Sequence, residues 1–249
     1  MSNAQARQGI AAFRIPRIGY GARALLLLAA LPASSQQTYI TRFDVYAGNA
    51  YFNSPHVGLA ERGVHLQTGF RAASWLSLGF DYSRAAGDLT LTPDLLVTSV
   101  QQQLTAQFAQ LAAAKLLPAG YALAVPVHSQ TQTFAGGPQL SYRRWKPVTL
   151  FIRPSIGAMM ETATPHPMPG DTIAAGVVAQ LAPAGYMQDR VAFYGFGGGA
   201  DFNLSRRVAL RVQADFVHDR LFDDLLKDSR NTVRVSVGPA FNFSGAITR

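Results

Sequence analysis

The segment Asn231–Phe243 reads Asn-Thr-Val-Arg-Val-Ser-Val-Gly-Pro-Ala-Phe-Asn-Phe, and its apolar and polar residues alternate almost throughout. One parity holds Val233, Val235, Val237, Phe241 and Phe243; the other holds Arg234, Ser236, Gly238, Ala240 and Asn242. Successive side chains of a β-strand point to opposite faces, so the alternation predicts a strand with one apolar and one polar face. Roughly a dozen residues is the length of a tilted strand that crosses a bilayer, whereas ordinary strands have about five or six.

The same alternation recurs in seven earlier windows. They are 42–52, 63–71, 75–84, 127–143, 148–160, 190–204 and 207–219. With the last segment they make eight strands, an even number, as closed antiparallel membrane barrels require, although a count of ten stays open. Pro154 and Pro239 fall inside two windows and predict a bulge or a gap in the ladder, because proline has no N–H to donate. The glycines at 195–199 predict a bend of the wall or the close approach of a bulky interior side chain.

The connections between the windows alternate in length. Residues 72–74, 144–147 and 205–206 are short, whereas 53–62, 85–126, 161–189 and 220–230 are long. Short turns at one end and long loops at the other are typical of outer-membrane barrels, in which the short turns are periplasmic. Aromatic residues near the strand ends are candidates for the interfacial girdles of such a barrel, with core packing as the alternative. They are Tyr46, Tyr51, Trp75, Tyr82, Tyr142, Trp145 and Tyr194.

Two of the long connections contain helical patterns. Apolar residues lie at helical spacing between Pro93 and Lys115, with Thr92 or Asp94 as the candidate cap, and a shorter run follows Asp171. Both runs end in Ala-Gln-Leu-Ala, at 109–112 and 179–182, and Pro-Ala-Gly-Tyr comes shortly after each. This repetition predicts two related helix-then-turn units beside each other over one mouth of the barrel, unless it is a coincidence of alanine-rich sequence.

The N-terminal residues differ from the rest of the chain. Arg7, Arg14, Arg17 and Arg23 precede the apolar run 24–31 and the small residues after it, which is the order of a secretory signal. We therefore expect a signal peptide at 1–35, a barrel domain at 36–243 and a short tail at 244–249; a membrane-anchoring amphipathic helix is the alternative for the first segment. Without the signal the net charge falls from +8 to +4, and nothing indicates a nucleic-acid partner.

Composition supports a membrane barrel. Charged residues make up only 14% of the 249 residues, below the roughly 25% that is typical of soluble domains. No apolar run reaches the ~20 residues that a membrane helix needs. Cysteine is absent, so disulfide and thiol chemistry are excluded.

The chain resembles the small eight-stranded outer-membrane barrels, the OmpA/OmpX-like or outer membrane protein β-barrel domain group, from about Thr38 to Phe243. The signal segment, the alternating windows, the sorted loop lengths and the terminal Phe-Asn-Phe carry this resemblance. It implies an all-β fold, a closed antiparallel eight-stranded transmembrane barrel with short helices in two long outer loops. It also implies that the barrel-assembly machinery reads Phe243 as the terminal aromatic residue, although six more residues follow it. Such barrels include pores, adhesins, enzymes and anchors, so the fold alone gives no activity.

The polar parity predicts a charge network in the lumen. Its charged members are Asp44, Asp81, Arg153, Asp201, Arg211, Asp215 and Arg234. An eight-stranded barrel is just wide enough for side chains to fill it, so opposite charges would pair and close the lumen. A narrow, gated ion path is the alternative. A soluble lipocalin-like barrel would instead turn the apolar parity inward, and parity alone does not decide which face is inside.

Enzymatic chemistry has one candidate site, near the outer rim. There Asp215, His218, Asp219, Asp223 and Asp224 cluster in sequence, and an Asp-His pair could activate water. A solvated acidic loop explains the same residues more simply, and the histidines do not have metal-ligand spacing. We therefore expect no enzyme activity, cofactor or metal. The overall prediction is a monomeric outer-membrane barrel with a structural or surface-interaction role, in contact with lipids and lipopolysaccharide; a small porin-like channel is the first alternative and a rim hydrolase the second.

Overall fold

The computed structural model describes residues 40–227 and 230–246. The predicted signal peptide and residues 247–249 lie outside the described residues. The eight strands are β1 (Thr41–Ser54), β2 (Leu59–Arg71), β3 (Leu76–Leu91), β4 (Val125–Tyr142), β5 (Val148–Pro165), β6 (Met187–Asn203), β7 (Val208–Asp219) and β8 (Arg230–Ala246). Every strand pairs with its sequence neighbours, and β8 pairs antiparallel with β1, so the sheet closes on itself. The predicted fold class is confirmed.

The apolar parity lies outside the barrel. In β8, Val235, Val237 and Phe241 are 42%, 44% and 49% exposed, whereas Arg234 and Ser236 are buried. The same holds on the other strands, where the polar side chains fill the interior. A soluble lipocalin-like barrel requires the opposite arrangement, so that alternative is wrong.

The apolar residues change face towards the end of the barrel that carries the long connections, here called the long-loop end. In β4, Phe134 and Leu140 point outward, but Val125 and Val127, nearer the long-loop end, are buried inside. A wall that leaves the apolar surroundings for water must turn its apolar side chains inward. This inversion explains why the predicted windows 75–84 and 148–160 are too short, since β3 and β5 continue beyond them.

The prolines lie at interruptions of the ladder, as predicted. Pairing of β4 with β5 stops between Gly136↔Ile156 and Leu140↔Ile152, which leaves Pro154 without a partner on that side. Pairing of β1 with β8 likewise stops between Tyr46↔Ala240 and Asn49↔Val237, beside Pro239. Both prolines therefore lie where no N–H is required.

Short connections lie together at the other end, here called the short-turn end, and they join β2 to β3, β4 to β5 and β6 to β7. The prediction of a long loop at 53–62 is wrong. A 3-10 turn at Pro55–Val57 and Gly58, whose φ is 65°, join β1 to β2 directly. Glycine tolerates this left-handed conformation at no steric cost.

The two predicted helices are present at the long-loop end. Helix α1 (Thr98–Ala113) follows β3, and helix α2 (Thr172–Leu181) follows β5. Leu104 of α1 and Val177 of α2 belong to one apolar cluster, and Gln107 Nε2 donates to Gln180 Oε1 at 3.0 Å, so the helices lie side by side. Within the described residues, no helix has the length and apolar character needed to cross a bilayer.

The caps of the helices differ from each other. Asp171 Oδ1 accepts from Ala174 N at 2.8 Å and caps α2. The predicted cap of α1 by Thr92 or Asp94 is wrong, because α1 begins only after Val97 and has no side-chain cap. Tyr121, which follows α1, links the two helix-then-turn units, because its hydroxyl group donates to both carboxylate oxygens of Asp171 at 3.0 Å. Burial and this hydrogen bond raise the pKa of Tyr121 to about 12.

Candidate functional site: the barrel interior

Arg211 of β7 is the centre of a network near the short-turn end. Its Nε and Nη2 donate to the two oxygens of Asp201 at 2.7 and 3.0 Å, and Nη2 also reaches Asp44 Oδ2 at 3.1 Å. Nη1 donates to Gln67 Oε1 at 3.0 Å, and Asp44 in addition lies 3.4 Å from Arg71. Bidentate arginine–carboxylate pairs fix geometry as well as charge. Four strands are thus joined across the lumen.

Arg234 of β8 is the centre of a second network, nearer the long-loop end. Its Nε donates to Asp215 Oδ2 at 2.9 Å, and its Nη1 donates to Ser83 Oγ at 3.1 Å. Asp81 lies between Arg234, at 3.5 Å, and Arg153, at 2.5 Å. The structure therefore brings all seven charged residues of the sequence-predicted set into two connected groups inside the barrel.

Aromatic side chains fill the space around both arginines. The guanidinium carbon of Arg211 lies 5.6 Å from the ring centre of Tyr46 and 5.0 Å from that of Phe151. The guanidinium carbon of Arg234 lies 5.9 Å from the ring centre of Phe52. Cations over aromatic faces gain about 2 kcal/mol when they are desolvated. Tyr46 is 0% exposed, so its assignment to an interfacial girdle is wrong.

The glycine-rich segment of β6 makes room for this filling. A Cβ on Gly197 would collide with the carboxylate of Asp215, and one on Gly199 would collide with the ring of Phe151. Of the two explanations proposed for 195–199, close approach of bulky interior side chains therefore applies.

A polar and then an apolar layer follow towards the long-loop end. Ser129 Oγ donates to Glu161 Oε1 at 2.7 Å, and Thr131 Oγ1 donates to Glu61 Oε1 at 2.9 Å. Beyond these carboxylates the connection from β7 to β8 folds over the mouth. It inserts the buried side chains Leu221, Phe222 and Leu226 into a cluster with Val57, Leu59, Met159 and Phe193.

One side-chain and two backbone acceptors hold this apolar plug, formed by residues 221–226, in place. Phe222 N donates to Asp189 Oδ2 of β6 at 2.6 Å. Val97 N donates to Leu225 O at 2.8 Å, and Lys227 N donates to Leu95 O at 2.9 Å. The plug and α1 are therefore one packed unit over the mouth.

The candidate hydrolytic cluster comes together only in part: His218, Asp219 and Asp223 line one pocket, whereas Asp215 and Asp224 do not. Asp215 is buried in the Arg234 network, whereas His218 lies on the outer face and its Nδ1 is 2.9 Å from Asn231 Oδ1. Asp219 Oδ1 accepts from Leu221 N at 3.2 Å and thereby supports the plug. In the part of the chain that the structure describes, no group of three or more His, Cys, Asp or Glu side chains could hold a metal ion.

Sequence reasoning missed three buried charged residues. Glu61 and Glu161 lie just beyond the ends of the predicted windows. Arg71 is the last residue of its window, and it was left out of the predicted network although it lies on the same polar parity as Gln67. Extending the windows along the polar parity would have found the two glutamates, and following that parity to the last residue of the window 63–71 would have found Arg71.

No family model and no curated protein matches the chain. Solved structures with a similar chain trace include Neisserial surface protein A, with 11% identity, a TM-score of 0.49 and coverage of 82% of this chain and 98% of that one. The outer membrane protein OprG from Pseudomonas aeruginosa has 8% identity, a TM-score of 0.47 and coverage of 84% and 99%. Ail of Yersinia pestis, solved with the heparin analogue sucrose octasulfate, has 10% identity, a TM-score of 0.42 and coverage of 81% and 96%.

Proposed function

We propose that this protein is a monomeric outer-membrane barrel that works as a sealed anchor and presents its helical cap, α1 and α2, for interactions at the cell surface. The observation that carries the proposal is the filled interior, in which the Arg211 and Arg234 networks and the apolar plug succeed one another along the barrel axis. The side chains in such a lumen have a structural role, and they leave no continuous aqueous path.

The outer wall supports membrane insertion. Outward side chains such as Phe80, Phe196 and Phe241 are 52%, 56% and 49% exposed, and they recur on all sides of the barrel. Soluble monomers rarely expose apolar patches of more than a few hundred Å². The change of apolar face in β4 supports a boundary between lipid and water, with the helical cap on the aqueous side.

Conductance in planar bilayers tests the sealed lumen. The refolded protein is expected to insert without steady single-channel currents, while an open porin under the same conditions serves as the positive control. Reproducible unitary currents would replace this proposal with the small channel.

Chemical labelling tests the orientation. Lys115 follows α1 at the long-loop end, and Lys146 lies in the turn between β4 and β5; both are exposed. A membrane-impermeant amine reagent applied to intact cells should modify Lys115, and it should reach Lys146 only after permeabilisation. Labelling of Lys146 in intact cells contradicts the proposed orientation.

Lipids, lipopolysaccharide and the barrel-assembly machinery are the partners that the proposal requires. Membrane insertion predicts that the folded protein dissolves only in the presence of detergent and that its gel mobility changes on heating. Recovery of folded protein from a soluble fraction without detergent would refute membrane insertion.

A further inference from the structure

The short-turn end contains a polar cavity that the sealed-anchor function does not use. Its volume is about 290 Å³, and four cationic residues line it: Arg71, Arg143, Lys146 and Arg206. Asp201 is the acidic residue in its lining. The cations come from the end of β2 and from two separate turns, so tertiary structure alone brings them together.

The positive charge of this cavity is not balanced by its acidic neighbours. Asp201 is held by Arg211 at 2.7 Å, and Arg211 also shares Asp44 with Arg71. Among the described residues, Lys146 and Arg206 make no ion pair. Burial, together with the nearby charge of Arg71, lowers the pKa of Arg143 to about 10, which is the direction expected when like charges are crowded.

Arg71 is a buried residue of the cavity lining and is held by hydrogen bonds. Arg71 is 4% exposed; its Nη1 donates to Thr41 and its Nη2 donates to Asn242 Oδ1 at 2.8 Å. Its Nε is buried without a hydrogen-bond partner. The Arg71 guanidinium is therefore a fixed positive charge in the wall of the cavity.

We propose that this cavity binds a phosphate group, supplied either by a soluble phosphate ester or by the headgroup of an anionic phospholipid. Arginine forks match phosphate oxygens, and lysine adds a flexible point charge at the entrance. The inference is independent of the sealed lumen, and only the compartment that supplies the phosphate depends on the proposed orientation.

Isothermal titration of the folded protein in a maltoside detergent tests the site, with inorganic phosphate and monomeric dihexanoyl phosphatidylglycerol as probes. The informative variant is K146A/R206A, which removes two exposed charges from the cavity. The matched control is R144A/R207A, which removes two exposed charges from the same turns but outside the cavity lining. Heat-modifiable mobility verifies that both variants are folded.

Wild-type protein is expected to bind at least one probe saturably, and K146A/R206A should weaken that binding about tenfold. The control pair should weaken it less than threefold. Tighter binding of inorganic phosphate identifies a soluble source, and tighter binding of the phosphatidylglycerol identifies a lipid. Equal losses in the two double variants, or no saturable binding of either probe, would overturn the proposal.

Discussion

Replacement of Arg211 by alanine is the sharpest test of the filled lumen. The change removes the hydrogen bonds to Asp201, Asp44 and Gln67, all of which are buried. Asp44 keeps Arg71 at 3.4 Å, but Asp201 loses its bidentate pair with Arg211. Breaking a buried ion pair from one side costs about 3–5 kcal/mol, because a charge is left without compensation.

We therefore expect R211A to lower the free energy of unfolding by about 3–5 kcal/mol. Urea unfolding in lipid vesicles measures this, with Trp75 and Trp145 as fluorescent reporters. The double variant D201N/R211M removes both charges and should regain more than half of the loss, since an uncharged pair needs no partner. R207A, an exposed arginine at the same end, should change stability by less than about 0.5 kcal/mol.

A free energy of unfolding for R211A within about 1 kcal/mol of the wild-type value, a loss typical of solvated pairs, would contradict a desolvated Arg211 network. A D201N/R211M variant no more stable than R211A would contradict it equally. Either result would mean that water, rather than protein, surrounds the Arg211 network.

Three further predictions concern particular side chains. F243A should reduce the folded fraction in cells severalfold, because the barrel-assembly machinery is expected to recognise Phe243. F241A, on the same face of β8, should not have this effect; equal effects would exclude specific recognition of Phe243. G197A should lower the free energy of unfolding by about 1–3 kcal/mol by displacing Asp215, while G176A, with open space around it, should be neutral or stabilising; the reverse order in urea unfolding would contradict the packing. Neutral Tyr121 is favoured in the folded state, so its stabilisation is present below pH 10 and lost as pH rises through about 12. Y121F should remove this loss of stability, and alkaline difference absorbance should lose one tyrosine that ionises near pH 12; an unchanged titration would contradict the hydrogen bond to Asp171.

Much of the barrel was predictable because lipid imposes one rule on every strand. Near the short-turn end each strand turns its apolar parity outward, so β8 and the other seven strands could each be recognised from their own sequence. The rule reverses where the wall enters water, and the predicted windows therefore stopped before Leu91 and Pro165. Residues beyond that boundary, such as Glu61 and Glu161, were missed for the same reason.

Sequence by itself determined the alternation and seven of the charges on the polar parity, and it predicted eight strands with ten as the alternative, because these depend on local order along the chain. Tertiary structure decided which parity faces inward, which arginine meets which aspartate, and that residues 221–226 pack over the mouth. Those outcomes depend on strand register and closure, which bring Asp44 and Arg211 together from opposite ends of the chain. The segment 231–243 predicted a strand with two faces, but only the closed barrel placed Arg234 between Asp215 and Asp81.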